Sequence, residues 1–186
     1  MKNSSILTKI FLSVLAIGAI IWLGGTVTRN AIAFDLFVPG TALTLKNWYS
    51  EEMQLTTVSL FRIAGFYTIV GFCMTFVSAI YLFIIYKKEF KSKGWLLMSF
   101  VLFFLASPIE FYLMYYDIKI ILAFNNMQID SFHDSIINDF FIARFSKLTI
   151  PATLSFLASF TAILLLIWQP LNKKKTNANH IEDNLN

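Results

Sequence analysis

Glu110 stands two residues after Pro108 in the stretch LFFLASPIEF, and it is the only acid inside the long apolar runs of this 186-residue chain. A carboxylate in such surroundings must be paired, hydrated or protonated, because an isolated charge among hydrocarbon is costly. Three guanidiniums fall at the ends of those runs: Arg29 closes the first, Arg62 opens the second and Arg144 just precedes the fourth. Together the four residues make the candidate site. One reading is an internal ion pair that staples the helices. The other is a ligand, ion or proton site, in which a small anion bridges the arginines while Glu110 tunes their field. Arg29 is the preferred partner of Glu110, since that pair would close the first hairpin against the third helix.

Other reactive side chains are sparse. His133 and His180 are the only histidines; His133 with Asp130 and Asp134 offers no complete ligand set, so no metal centre is assigned. Cys73 is the only cysteine, so it forms no internal disulfide or dithiol centre and reads as a small packing residue. VPGT at Val38 to Thr41 reads as a turn, and Gly24-Gly25 lacks the spacing and lysine-hydroxyl ending of a phosphate loop. The catalytic residues and the cofactor are therefore unassigned.

The elements that position these groups follow from hydropathy. The chain is 57% hydrophobic and 14% charged, with a mean hydropathy of +0.66, outside the range of ordinary water-soluble domains. Four runs near residues 10–28, 63–86, 95–116 and 148–168 approach or exceed the roughly 20 residues that a helix needs to cross a bilayer. They lack the alternation of membrane strands, and four strands could not close a barrel. The expected fold is an all-α integral membrane protein, a four-helix transmembrane bundle over residues 1–170 with a polar tail at 171–186. The first run also resembles a secretory signal, but its length and weak cleavage pattern favour retention.

Lysine placement orients the bundle. Lys2 and Lys9, then Lys87, Lys88, Lys91 and Lys93, then Lys173, Lys174 and Lys175 fall on one side under an even number of spans, against only Glu89, Glu182 and Asp183. The positive-inside rule puts both ends and the short middle loop in the cytoplasm of a multi-pass cell-membrane protein. Tyr86, Trp95 and Trp168 then mark one boundary, and Trp48, Tyr49, Tyr112, Tyr115 and Tyr116 the other. Counting from Trp95 places Glu110 about 22 Å across, just inside the outer boundary.

Within the spans, Ala64, Thr68, Gly71, Thr75 and Ser78 line one face of the second helix, and Ala152, Ser155, Ser159 and Ala162 one face of the fourth. Small residues so spaced permit close helix contact in lipid. Pro108 removes a backbone donor and is expected to bend the third helix near Phe104. Two outer amphipathic segments are expected. One begins at an Asn47 cap with Trp48, Leu55 and Val58 toward the membrane; the other carries Phe132, Ile136, Ile137 and Phe140 on one face. The order of span, outer segment, arginine and span suggests a loose two-hairpin repeat.

Three functional classes fit. The first is an accessory or structural subunit of a membrane complex, non-enzymatic, touching membrane lipids and other membrane subunits or a second copy of itself. The second is a component of a transporter for a small solute, ion or proton. The third is a membrane enzyme acting on a lipophilic substrate. The formal charge of +4 reflects the lysine bias, and no basic stripe with stacking aromatics supports a nucleic-acid partner.

Overall fold

A computed structural model describes residues 5–126, 129 and 131–170; the expectations for Lys2, Asp130 and the 171–186 tail, including its lysines and His180, lie outside them. Among the described residues, four helices, α1 (Ile6–Phe34), α2 (Glu51–Tyr86), α3 (Gly94–Asn125) and α5 (Thr149–Trp168), are long and apolar enough to cross a membrane. A 3-10 turn (Lys87–Glu89) follows α2, and a π-helical turn (Ile137–Ile142) leads through the short α4 (Ala143–Lys147) into α5. Large apolar side chains such as Ile20, Ile84, Leu105, Leu154 and Ile167 are exposed, whereas Thr68, Thr75, Ser78, Ser99, Ser155 and Ser159 are buried. That distribution inverts the pattern of a water-soluble bundle and is the surface of a membrane-associated protein.

The helices pair as two hairpins. α1 packs along α2 and α3 along α5, and the hairpins meet mainly through α2 and α3. Glycine explains the closeness of the first pair. A Cβ on Gly71 would lie 2.7 Å from the Trp22 backbone nitrogen, and one on Gly18 would lie 2.8 Å from the Gly71 carbonyl oxygen, so only hydrogen fits at either position. In the second pair, Ser99 donates to the Ala162 carbonyl at 2.7 Å. The small-residue stripes are buried as expected at Thr68, Gly71, Thr75 and Ser78 and at Ser155, Ser159 and Ala162, while Ala64 and Ala152 lie at their margins. Cys73 differs from expectation by facing outward.

Several boundaries move. α1 continues past residue 28 to Phe34, and α3 past residue 116 to Asn125 and without interruption through Pro108. The first outer segment is not a separate helix: Ser50, not Asn47, caps α2 by accepting from the Met53 backbone N–H, and Val58 turns into a buried core. A compact cap therefore covers the end of the bundle away from the lysine-rich 87–93 turn. Leu36, Phe37, Val58, Phe61, Ile120, Phe132, Ile137 and Phe141 fill it. The hook between α1 and α2 turns at Val38–Thr41, with Gly40 at φ 77° and the Thr41 hydroxyl donating to the Val38 carbonyl at 2.7 Å.

Candidate functional site

Beneath the cap, two guanidiniums share one carboxylate. Arg29 Nη1 lies 2.7 Å from Asp117 Oδ2, and Arg144 Nε lies 2.9 Å from Asp117 Oδ1. Arg144 Nη2 adds a longer contact of 3.5 Å to Oδ2. All three side chains are 3–4% exposed. The Phe61 ring lies 5.1 Å from the Arg29 guanidinium carbon and 5.6 Å from that of Arg144, so its π face helps to seat both cations. Arg29 Nη1 also donates to the Thr68 hydroxyl at 3.2 Å, and that hydroxyl donates to the Gly65 carbonyl at 2.7 Å. Gly65 keeps the way open, since a Cβ there would lie 3.3 Å from Arg29 Nη1.

This arrangement replaces the expected Glu110–Arg29 pair. Asp117 is the carboxylate partner of both arginines because α3 extends nine residues beyond Tyr116 as one helix, bringing Asp117 inside the bundle. It follows Glu110 by seven residues, two helical turns along the same face. That spacing was the signal available in the sequence. Arg62 is not in the cluster. It donates instead to Asn125 Oδ1 at 2.9 Å and lies against the Phe124 ring.

Glu110 occupies its own level, held by neutral donors. Trp22 Nε1 donates to its Oε2 at 3.2 Å, and the Ser155 hydroxyl lies 2.7 Å from its Oε1. Counted from the lysine-rich end, Trp22 is about 20 Å from Lys9, Glu110 about 22 Å from Trp95 and Ser155 about 20 Å from Trp168, so three helices deliver their side chains to one depth. The Ser155 hydroxyl also lies 3.4 Å from the Ala106 carbonyl oxygen. Its single proton can point to an ionised Glu110. When Glu110 is protonated, Ser155 can instead accept from it and donate to Ala106. The same packing thus accommodates both protonation states.

α1 and α5 are not closed against each other, and a cleft runs between them. Its polar part, about 130 Å³, is lined by Thr26, Arg29, Glu110, Arg144, Thr149 and Thr153 among others. A separate apolar part of about 120 Å³, sharing no lining residue with the polar one, lies toward the lysine-rich end between Leu12, Leu15 and Trp22 on one side and Phe103, Ala162 and Leu166 on the other. A smaller recess among α1, α2 and α3 touches Trp22, Thr68, Phe72, Glu110 and Asp117. Arg29 Nε is buried without a hydrogen-bond partner, as is Ser159 Oγ in the wall of the apolar part. Among the described residues, no group of three or more His, Cys, Asp or Glu side chains is placed to hold a metal.

Outside this cluster, exposed carboxylates stitch the cap. Asp35 binds Lys46 at 2.7 Å and accepts from the Tyr49 hydroxyl. The Lys46 hydrogen bond first, and that of Tyr49 second, hold Asp35 below the ordinary carboxylate range, while Asp35 pushes Tyr49 up. Glu51 is likewise lowered, first by the Ser131 hydroxyl and then by the Phe132 backbone N–H. No protein-family model, curated protein or solved structure matches this chain.

Proposed function

We propose that this chain is a four-span protein of the cell membrane, with residues 1–170 as its membrane unit, both ends and the 87–93 turn in the cytoplasm, and a cytoplasmic tail at 171–186. Its role is non-catalytic: it acts as a component of a membrane assembly that captures an anionic group at the Arg29–Arg144 pocket, in the outer half of the bilayer. The observation that carries this reading is the division of labour between the two acids. Asp117 neutralises one of the two arginine charges from below, while the cavity itself is lined by both arginines and by Glu110, which binds neither of them. An anion there meets the two guanidinium side chains that line the cavity.

Glu110 makes the capture proton-linked. The charged groups around it are Arg29 from α1, Asp117 from α3 and Arg144 from α4; α5 contributes Ser155, and α2 contributes the uncharged Thr68, Ile69 and Phe72. An incoming anion beside Glu110 favours its protonated form, because two adjacent negative charges repel. The two-way Ser155 hydroxyl favours a second reading on the same site, a transporter component in which anion and proton travel together.

Dimethyl phosphate, a fixed monoanion, tests the reading with the full chain in zwitterionic nanodiscs. It is expected to raise the thermal midpoint more at pH 5 than at pH 8, in proportion to its binding. A midpoint unmoved at every pH would contradict anion capture.

A further inference from the structure

Arg62 is the one arginine of this chain that does not line the anion pocket. Among the described residues it meets no carboxylate, whereas Asp117 serves both Arg29 and Arg144. Its Nη1 donates to Asn125 Oδ1 at 2.9 Å, its guanidinium carbon lies 5.2 Å from the centre of the Phe124 ring, and its Nε is buried without a hydrogen-bond partner. A neutral amide and a ring seat the guanidinium but leave its charge without a counterion.

Arg62 lines a recess of about 290 Å³ between α2 and α3, larger than either part of the α1–α5 cleft. Ile63, Phe66, Tyr67, Ile121 and Asn125 complete the lining. Ile63, Phe66 and Tyr67 are exposed, and so are Val70 and Val77, which continue the same face of α2 toward the lysine-rich end. From Tyr86 back to Tyr67 is 19 residues of α2, about 28 Å, and back to Arg62 is 24 residues, about 36 Å. The hydrocarbon of a bilayer is about 30 Å thick, and the whole layer with its headgroups about 40–45 Å. With Tyr86 at the cytoplasmic boundary, Tyr67 falls at the outer edge of the hydrocarbon and Arg62 among the headgroups.

Resting on the four-span arrangement but not on anion capture, we infer that this recess holds the phosphate of an outer-leaflet anionic phospholipid whose headgroup is uncharged beyond the phosphate, as in phosphatidylglycerol. The phosphodiester is the counterion of Arg62, whose planar, weakly hydrated fork suits it, and the Asn125 amide lies beside it. The acyl chains lie on Phe66, Val70 and Val77. Charge selects the headgroup. Phe66 and Tyr67 are on the hydrocarbon side of Arg62, so neither ring can cradle a choline that extends from the phosphate toward water, and the Phe124 ring is covered by the arginine itself. No acid lines the recess to balance an ammonium.

Native mass spectrometry of the full chain, released from micelles holding equal amounts of dioleoylphosphatidylglycerol and dioleoylphosphatidylcholine, tests the site. Retained phosphatidylglycerol is expected to exceed phosphatidylcholine about fivefold, the preference that one arginine beside an anionic headgroup carries. Arg62→Gln should bring the ratio to about one. Asn125→Asp, which keeps the shape of the site and gives Arg62 a carboxylate of its own, should do the same even if Arg62→Gln fails to fold. Lys88→Gln, at the other end of α2, should leave the ratio unchanged. Equal retention of the two lipids by the wild type, or a preference that survives both Arg62→Gln and Asn125→Asp, would overturn the assignment. Displacement of the lipid by an equal concentration of glycerophosphoglycerol, the same headgroup without acyl chains, would overturn the lipid as the source of the phosphate. The dimethyl phosphate response separates this site from the anion pocket. If it is absent from the wild type while lipid selection by Arg62 persists, anion capture falls and the lipid site stands; if it persists in a wild type that does not select lipid, the reverse holds.

Discussion

Arg29 and Asp117, 88 residues apart in sequence and each almost sealed from solvent, meet at 2.7 Å across the two hairpins. With Arg144 on the other side of the same carboxylate, the contact joins α1, α3 and α4 under the cap. Removing one partner of a buried ion pair exposes the other to an uncompensated desolvation cost of about 3–5 kcal/mol. Asp117→Asn strands two guanidiniums, whereas Glu110→Gln keeps the Trp22 and Ser155 hydrogen bonds feasible. In reversible denaturation from mixed micelles, Asp117→Asn should lose about 3–5 kcal/mol and Glu110→Gln about 1 kcal/mol. Equal losses would mean that Asp117 is not the keystone.

How much of this was legible in the sequence differs between the fold and the site. The four apolar runs and their small-residue faces were readable because lipid-facing helices need length and close-packed helices need residues like Gly71 and Ser155. Glu110, Arg29 and Arg144 also stand out in the sequence, as charges beside apolar runs. Their pairing does not. Asp117 follows a Tyr-Tyr pair typical of a boundary, and hydropathy falls there even though the helix continues to Asn125 inside a cap of aromatic residues. The cap itself draws on Phe37, Val58, Phe132 and Phe141, from four separate stretches, whose convergence no local period reports.

The α1–α2 contact predicts a sharp contrast between glycines. Gly71→Ala puts a methyl group within 3 Å of backbone atoms at Trp22 and Gly18, which cannot retreat as a side-chain tip can. Overpacking of this kind should cost about 1–3 kcal/mol. Gly24→Ala meets nothing within 4 Å and should leave the denaturation midpoint unchanged or slightly raised. Indistinguishable midpoints for the two variants would argue against the close crossing.

The cap should hold in mild acid. Asp35 and Glu51 both have folded-state values below those of the unfolded chain, so their contribution is present above the ordinary carboxylate range of about 4 and is lost as pH falls through the lowered folded values. A nitroxide at Thr41→Cys, in a Cys73→Ser chain, should report constant mobility from neutral pH to about 4 and increasing mobility below it. Asp35→Asn should raise mobility throughout. A transition centred near neutral pH would show that other groups hold the hook.

Topology is open to a two-site test. Single cysteines at Ser92 and Thr41 in the Cys73→Ser chain should react with an impermeant maleimide from opposite sides of sealed vesicles, Ser92 from the cytoplasmic side. Labelling of both from one side would remove the four-span arrangement and with it the bilayer depth of the site.

Proton linkage is the most direct test of anion capture. Titrating the full chain in nanodiscs with dimethyl phosphate, in buffers of different ionisation enthalpy at a pH where Glu110 is ionised, counts the protons taken up as the anion binds. Close to one proton per anion in wild type and none in Glu110→Gln, with the Gln variant binding independently of pH, is the result expected of an anion seated between Arg29 and Arg144 beside Glu110. Binding with no proton uptake in wild type, or uptake that persists in Glu110→Gln, would contradict it.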